Sequence, residues 1–279
     1  MTFSSYINEH DNAPIVALHS PASNSGQWRQ LKTDLEGRYD VVAFDLPGYG
    51  RLPLTADSSQ SGAACSAAPV IREIEKMGRA VHLLGHSYGG GIAIKVALMR
   101  PDLVKSLTLY EPAAFHFLKY GDGLDKRLFQ QIAGLSARIS SAAANDNIPN
   151  GMRHFVDFWN GTGFWDALST AAHDRFSSMI FSVMADFVHG LSETWELADL
   201  ARLEMPTLVM TGLESPELAQ HVAVAIAKAL PNARIALLPE LGHMAPIFQP
   251  EWVNDRIFEH VASAERPVKT CKWPSRAAA

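Results

Sequence analysis

Short, nearly continuous runs of apolar residues recur along the chain and alternate with longer amphipathic stretches. Strands buried on both faces of a sheet have this composition, and the stretches between them are long enough for crossover helices. We therefore predict an α/β fold with a mostly parallel, doubly wound sheet covered by helices on both faces. The candidate strands are Pro14–Leu18, Asp40–Leu46, Ala80–Leu84, Val104–Tyr110, Pro206–Thr211 and Ala233–Pro239.

One interval interrupts this alternation. Between Tyr110 and Pro206 lie about 95 residues without a convincing strand, far more than a crossover helix needs. The interval reads as helical and is rich in aromatic residues; most of these should form its own core, while the rest line an apolar pocket. We predict that residues 114–198 form a helical cap inserted into a core domain of residues 1–113 and 199–279.

The most specific local pattern is a Gly-x-Ser-x-Gly turn. Gly85-His86-Ser87-Tyr88-Gly89 follows an apolar strand and precedes an apolar helix. In that context the serine sits on a sharp bend, and the glycines let the strand and the helix approach closely. The unpaired N–H groups and the dipole at the helix start favour negative charge there. The pattern predicts that Ser87 is a nucleophile.

A serine hydroxyl is a weak nucleophile unless a neighbouring base takes its proton. His243 is our candidate for this base, because it comes directly after the last predicted strand, 156 residues beyond Ser87. Ligands of such sheets bind at the carboxyl ends of the strands, where these turns meet. His19 and His86 also follow predicted strands, and we expect them to hold neighbouring loops by hydrogen bonds.

Four motifs together resemble the α/β-hydrolase superfamily, in its branch of small capped serine esterases, thioesterases and dehalogenase-like enzymes. They span nearly the whole chain outside the predicted cap. The motifs begin at Leu18 (LHSPAS), Phe44 (FDLPGYG), Gly85 (GHSYGG) and Gly242 (GHMAP). The resemblance implies the α/β-hydrolase fold and a Ser–His–acid triad, but it does not indicate a substrate.

The sequence offers more than one candidate for the acid of the triad. The superfamily usually carries it in a Gly-x-x-Asp turn after the penultimate strand, and here Ser215 occupies the expected aspartate position. Dehalogenase-like members place the acid after the preceding strand instead, where this chain has Glu111. A glutamate at the end of a buried strand needs a partner such as an imidazole. We favour Glu111, with Glu214 as the alternative; a Ser–His dyad and another acid such as Asp45 also stay open. For Asp45 we prefer a structural role in the turn after its strand.

The oxyanion hole shows a second departure from the family pattern. The N–H of Tyr88 should supply one donor to the tetrahedral oxygen. The second donor position is occupied by Pro21, which has no N–H. Three explanations stay open: a shifted loop in which Ala22 or Ser20 donates, a side chain such as Ser23 or Asn24, or a weakened hole.

Charge and composition exclude several classes of partner. The net charge is −5 and the basic residues are scattered, so we expect no binding to nucleic acid or to a membrane surface. Neither a signal segment nor a membrane span is visible. We expect Cys65 and Cys271 to be reduced thiols, and these features together are typical of a cytoplasmic protein. We expect a small-molecule substrate and no metal or organic cofactor, and we leave a homodimer open.

These observations lead to three functional hypotheses. The first is hydrolysis of a carboxylic ester or thioester of a small apolar acyl or aryl group, through an acyl-enzyme on Ser87. The second is hydrolysis of a C–C bond in a β-diketone-type substrate by the same residues. The third is a catalytically weakened, ligand-binding homologue, which the Pro21 position favours and the presence of both Ser87 and His243 disfavours.

Overall fold

The computed structural model describes residues 12–54 and 62–266, in which six parallel strands form one sheet. The strand order is β2–β1–β3–β4–β5–β6, and each strand overlaps its predicted run, so the α/β prediction is confirmed. The strands are β1 (Ile15–Leu18), β2 (Val41–Phe44), β3 (Val81–His86), β4 (Val104–Tyr110), β5 (Thr207–Gly212) and β6 (Ala233–Leu238).

Ten α-helices accompany the strands in the described residues. Outside the interval between β4 and β5 they are α1 (Arg29–Asp34), α2 (Ala64–Lys76), α3 (Tyr88–Met99), α8 (Glu217–Ala229), α9 (Ala245–Phe248) and α10 (Pro250–Glu265). Within that interval they are α4 (Gly123–Ala144), α5 (Ile148–Asn160), α6 (Thr170–Ser177) and α7 (Ile180–Leu191). Short 3-10 helices cover Ser25–Trp28, Pro101–Leu103, Phe115–Tyr120, Trp165–Ala167 and Leu197–Arg202.

The side chains of each strand alternate between two cores, one on each face of the sheet. Val16 and Leu18 of β1 join the core under α2, α3 and α8, whereas Ile15 and Ala17 join the core under α1 and α10. This alternation follows from the two-residue period of a strand. Because both faces are covered, the central strands are apolar at most positions, which is why the sequence shows them as nearly continuous runs.

The interval between β4 and β5 contains helical elements only, and it packs on the core through polar contacts as well as apolar ones. Ser182 Oγ on α7 donates to the carbonyl of Gly48, and the Tyr49 hydroxyl donates to Asp186 on the same helix. Both contacts join α7 to the loop after β2. The cap limits at residues 114 and 198 stay a prediction.

The strand order reverses between β1 and β3, since β2 lies on one side of this pair and β4 on the other. At such a switch point the connections leave in opposite directions and open a crevice at the carboxyl ends of the strands. The loop that begins at His19 follows β1, and Ser87 follows β3. The fold therefore brings the first and third sequence motifs to the same crevice.

Within residues 12–54 and 62–266, no helix is long and apolar enough to cross a lipid bilayer. The N-terminal segment and Cys271, both used in the prediction of the cellular compartment, lie outside the described residues.

The close approach of β3 and α3 gives a test of the nucleophile turn. A Cβ at Gly85 would overlap the backbone carbonyl of Gly89, which cannot move without shifting α3. We expect Gly85→Ala to lower the free energy of unfolding by about 3 kcal/mol or more. The matched control is Gly134→Ala in α4, where a Cβ meets only the end of the Arg138 side chain at 3.5 Å.

Chemical denaturation of both variants provides the measurement. Gly134→Ala should raise the free energy of unfolding by about 0.5–1 kcal/mol, because alanine restricts the unfolded chain and favours the helix. Equal stabilities for the two variants would show that the turn tolerates a side chain at Gly85.

Candidate active site

Ser87 occupies a strained turn between β3 and α3. Its φ is 55° and its ψ is −120°, a conformation that side-chain-bearing residues rarely adopt. The backbone around it fixes this geometry: Ser87 N donates to Tyr110 O at 3.0 Å, and Ser87 O accepts from Ala113 N at 2.9 Å and from Gly91 N at 3.0 Å. Three hydrogen bonds thus hold the turn that projects the serine side chain from the sheet edge.

His243 contacts both other members of the predicted triad. Its Nε2 lies 3.1 Å from Ser87 Oγ, and its Nδ1 lies 2.6 Å from Glu111 Oε2. An ionised carboxylate only accepts hydrogen bonds, so Nδ1 carries the proton and Nε2 is left as the acceptor of the serine hydroxyl. The three side chains form one continuous hydrogen-bonded chain, and all three residues are buried, with exposures of 3%, 2% and 1% for Ser87, His243 and Glu111.

Both oxygens of the Glu111 carboxylate accept hydrogen bonds. Oε1 accepts from Thr211 Oγ1 and from Gly212 N, each at 2.8 Å, while Oε2 takes the His243 proton. A buried carboxylate is costly unless it is hydrogen-bonded, and three donors from two other chain segments meet that need. The residue itself has a φ of 43°, which turns the chain sharply at the end of β4.

In the described part of the chain, no hydrogen bond joins either of the other acid candidates, Glu214 and Asp45, to the His243 ring. Glu214 is exposed in the loop after β5. Ser215, at the usual acid position, is buried, and in the described part of the chain its Oγ has no hydrogen-bond partner. Asp45 instead accepts from the backbone N–H groups of Ser25 and Arg51, at 2.8 and 3.0 Å. Burial alone would raise the pKa of Asp45, but these amides outweigh it and the pKa lies below its usual range.

His86 supports the loop that carries His243. Its Nδ1 lies 3.1 Å from the amide nitrogen of Gln27, and its Nε2 lies 2.8 Å from the carbonyl oxygen of His243. The amide N–H of Gln27 must donate, so His86 carries its proton on Nε2 and donates it to that carbonyl. Burial and the nearby His243 lower the pKa of His86 well below its usual value, so the ring stays neutral.

His19 holds the loops after β1 and β2 together. Its Nδ1 lies 2.7 Å from Ser20 O, and its Nε2 accepts from Leu46 N at 2.9 Å. Burial lowers the pKa of His19 to about 4, although the Ser20 carbonyl opposes the shift. Both histidines therefore hold loops, as the sequence predicts.

The loop after β1 and the start of α3 meet beside Ser87, where the sequence predicts the oxyanion hole. The N–H of Tyr88 belongs to the first turn of α3, which leaves it without a partner inside the helix. Pro21 borders the cavity next to Ser87, and Ser20 N is already bonded to Gln27 Oε1 at 3.1 Å. Ser20 is therefore an unsuitable second donor. The backbone of Ala22 turns through a φ of 55°, so the loop departs from extended geometry beside the site.

Two cavities meet at Ser87. The outer cleft, of about 420 Å³, is lined among others by Ser87, His243, Phe164, Met179 and Phe248. The inner pocket, of about 30 Å³, is lined by Pro21, Ser87, Tyr88, Ala113, Phe115, Phe155, Trp159, Asp186, Phe187, Gly190 and Leu191. More aromatic residues of the interval between β4 and β5 border the cavities than the sequence predicts, namely Phe115, Phe155, Trp159, Phe164, Phe176 and Phe187.

Sequence reasoning did not single out Trp159 or Asp186. The Trp159 ring stacks on the His243 imidazole, with 4.1 Å between centroids and 27° between planes. An aromatic face in this position stabilises an imidazolium. Asp186 was detectable as the one acidic residue of the apolar helix α7, whereas nothing in the sequence distinguishes Trp159 from the other aromatics of the interval.

The sequence model of the alpha/beta hydrolase family matches residues 15–256 of the chain. Among curated relatives, RutD of Pseudomonas savastanoi pv. phaseolicola, named as a candidate carbamate hydrolase, is 26% identical over 87% of this chain and 91% of its own. Lipase 1 of Psychrobacter immobilis is 22% identical over 91% of this chain and 78% of its own.

Solved structures show the same fold at lower identity. The enol-lactonase of Burkholderia xenovorans LB400 superposes with a TM-score of 0.70 at 15% identity, covering 90% of this chain and 92% of that one. Likeness at this level of identity is evidence for the shared architecture alone.

The electrostatics of the two loop histidines can be tested directly by ¹⁵N NMR of the imidazole nitrogens. We expect both rings to be neutral at pH 6, because burial disfavours the charged ring. Their hydrogen bonds then make His19 the Nδ1–H tautomer and His86 the Nε2–H tautomer. His19 should become protonated only near pH 4. The urea-unfolded protein, in which histidines titrate near pH 6.5, is the control. Imidazolium shifts for either ring at pH 6 in the folded protein would contradict the assignment.

Proposed function

Because the chain belongs to the alpha/beta hydrolase family, we propose that it is a serine hydrolase that cleaves a carboxylic ester or thioester. The observation that carries this proposal is the continuous hydrogen-bonded chain from Ser87 through His243 to Glu111, which opens onto the outer cleft. Such a chain activates a hydroxyl toward an acyl carbon, and it requires neither a metal nor an organic cofactor.

In the first half of the reaction, Ser87 Oγ attacks the carbonyl carbon while its proton passes to His243 Nε2. The resulting imidazolium is stabilised by the Glu111 carboxylate at Nδ1 and by the Trp159 face. The tetrahedral intermediate then collapses, the bond to the leaving oxygen or sulfur breaks, and His243 returns the proton to the leaving group. The product of this half is an acyl-enzyme on Ser87.

In the second half, water attacks the acyl carbon and gives a proton to His243 Nε2. Collapse of the second tetrahedral intermediate breaks the bond to Ser87 Oγ, which recovers its proton, and the carboxylic acid leaves. Both intermediates place negative charge on the former carbonyl oxygen. The N–H of Tyr88 and the start of α3 are in position to stabilise that charge.

The cavities support a small, largely apolar acyl group and a larger leaving group. The inner pocket is bordered mainly by aromatic and aliphatic side chains and is small, whereas the outer cleft is more than ten times larger. The relatives named as a lipase and as a candidate carbamate hydrolase also favour acyl transfer as the reaction class of this chain.

The acid of the triad can be tested with p-nitrophenyl esters of short and medium acyl chains. We expect Glu111→Gln to lower kcat by about 10⁴-fold, because an amide cannot hold His243 in the reactive tautomer. Ser87→Ala should lower kcat at least as much. Glu214→Gln, the matched control, should change kcat less than twofold, because Glu214 is exposed.

The outcome of this series separates the hypotheses. An inactive Glu214→Gln alongside an active Glu111→Gln would reject Glu111 as the acid. If the wild type cleaves none of the esters and a fluorophosphonate probe does not label Ser87, ester hydrolysis is rejected, and β-diketone substrates are the next to assay.

The Pro21 position gives a separate prediction. Pro21→Ala introduces a backbone N–H beside Ser87, where family members carry their second oxyanion donor. One such donor is worth about 10²–10³ in kcat, so we expect Pro21→Ala to raise kcat by about tenfold or more. Pro231→Ala, at an exposed proline after α8, is the control and should leave kcat unchanged. An unchanged kcat in Pro21→Ala would mean that another group already fills the second donor position.

A further inference from the structure

One wall of the inner pocket contains a carboxylic acid that the proposed mechanism does not use. Asp186 lies on α7, is only 6% exposed, and lines the same pocket as Ser87. Most other side chains of this pocket are aromatic or aliphatic. A buried acidic group among apolar side chains is costly, so its presence beside the nucleophile needs an explanation.

The hydrogen bonds of Asp186 leave half of its carboxyl group unused. Oδ2 accepts from the Tyr49 hydroxyl at 2.6 Å, and Oδ1 has no hydrogen-bond partner among the described residues. None of the residues that line the inner pocket in the described part of the chain is a lysine or an arginine. The free oxygen of Asp186 is therefore available to a ligand and is not neutralised by a neighbouring cation.

The packing of α7 on the core does not explain why residue 186 of this helix is a carboxylic acid. One turn earlier on the same face, Ser182 docks the helix with a neutral hydroxyl that donates to Gly48 O at 2.8 Å. The Tyr49 hydroxyl needs only one acceptor, which a smaller neutral side chain would supply. The second oxygen of Asp186 adds nothing to this docking and costs desolvation when the pocket is empty.

The protonation state determines what the free oxygen can recognise. Burial raises the pKa of Asp186 well above its usual value, although the Tyr49 hydrogen bond opposes the shift. A neutral carboxyl group whose Oδ2 accepts from Tyr49 carries its proton on Oδ1. Asp186 then presents an O–H donor to the inner pocket, which fits an oxygen acceptor better than an ammonium group.

The size of the pocket limits what reaches this donor. A volume of about 30 Å³ is roughly two to three times the minimum that one water molecule needs, so only a small group fits. A hydroxyl or carbonyl oxygen on a short acyl chain has this size.

We infer that Asp186 is a substrate-recognition residue that hydrogen-bonds a hydroxyl or carbonyl oxygen on the acyl group of the ester, so that the preferred substrates are short hydroxyacyl or oxoacyl esters. This inference rests on the proposed ester hydrolysis and narrows its otherwise apolar acyl group to one that carries a single oxygen.

The test compares matched pairs of p-nitrophenyl esters: butyrate with 3-hydroxybutyrate, and pentanoate with 4-oxopentanoate. For the wild type we expect kcat/KM to be at least tenfold higher for the oxygen-bearing member of at least one pair. Asp186→Leu should bring that ratio to one or below, mainly by lowering kcat/KM for the oxygen-bearing ester. Asp186→Asn keeps an N–H donor in place and should retain part of the preference.

Two controls separate recognition from docking. Tyr49→Phe breaks the hydrogen bond to α7 but leaves the carboxyl group, so it should keep the preference. Phe187→Leu alters an apolar wall of the same pocket and should also keep the ratio. If Asp186→Leu does not fold, Asp186→Asn and Asp186→Ser are compared in its place, since serine retains an O–H that is too short to reach the same ligand atom.

Several results would overturn the inference while leaving ester hydrolysis intact. One is the same kcat/KM ratio in wild type and Asp186→Leu, and another is an equal loss of kcat in Asp186→Leu for both members of each pair. A third is a preference of the wild type for the 4-(trimethylammonio)butyrate ester over butyrate, which would indicate an ionised carboxylate. Failure of the proposed function looks different, because wild type would then cleave no ester and Ser87 would not react with a fluorophosphonate.

Discussion

The buried carboxylate of Glu111 ties together three parts of the sheet edge, and the geometry of the site depends on it. Its backbone N–H bonds to Met210 O, its Oε1 to Thr211 and Gly212, and its Oε2 to His243. The first three partners belong to β5, and His243 follows β6. A charge buried this deeply is tolerated only while all its donors are in place, so the ends of β4, β5 and β6 must keep a fixed register. Alignment of the imidazole toward Ser87 follows from that register.

The three histidines around this carboxylate differ in their surroundings. His19 and His86 are buried without a carboxylate partner, and burial lowers the pKa of both. His243 is equally buried, but it bonds to Glu111 on one side and stacks on Trp159 on the other. Three histidines in one crevice therefore have different partners, and this difference supports the proposal that His243 is the one that shuttles protons.

The sequence predicts those features whose cause is local. Six strands appear as apolar runs because both faces of each central strand are buried, and Ser87 is recognisable because its turn requires glycines at fixed offsets. The choice between Glu111 and Glu214 is less local, since it depends on which side chain faces the imidazole once the strands are paired. Trp159 and Asp186 could not be assigned a role from sequence. Their neighbours are distant in the chain, 84 residues away for Trp159 and His243, and 137 for Asp186 and Tyr49.

The same helix that docks the interval between β4 and β5 on the core also shapes the inner pocket. On α7, Ser182 and Asp186 hold the loop after β2, and Asp186 with Phe187 borders the space beside Ser87. A substitution of Asp186 therefore alters the pocket and also weakens the attachment of α7, so pocket shape and stability are coupled at this position. Phe248, which lines the outer cleft, belongs to α9 and is more than half exposed. Under the proposed ester hydrolysis, a change of acyl-group preference made at Asp186 is therefore tied to the contact that keeps α7 in place, whereas a change made at Phe248 is not.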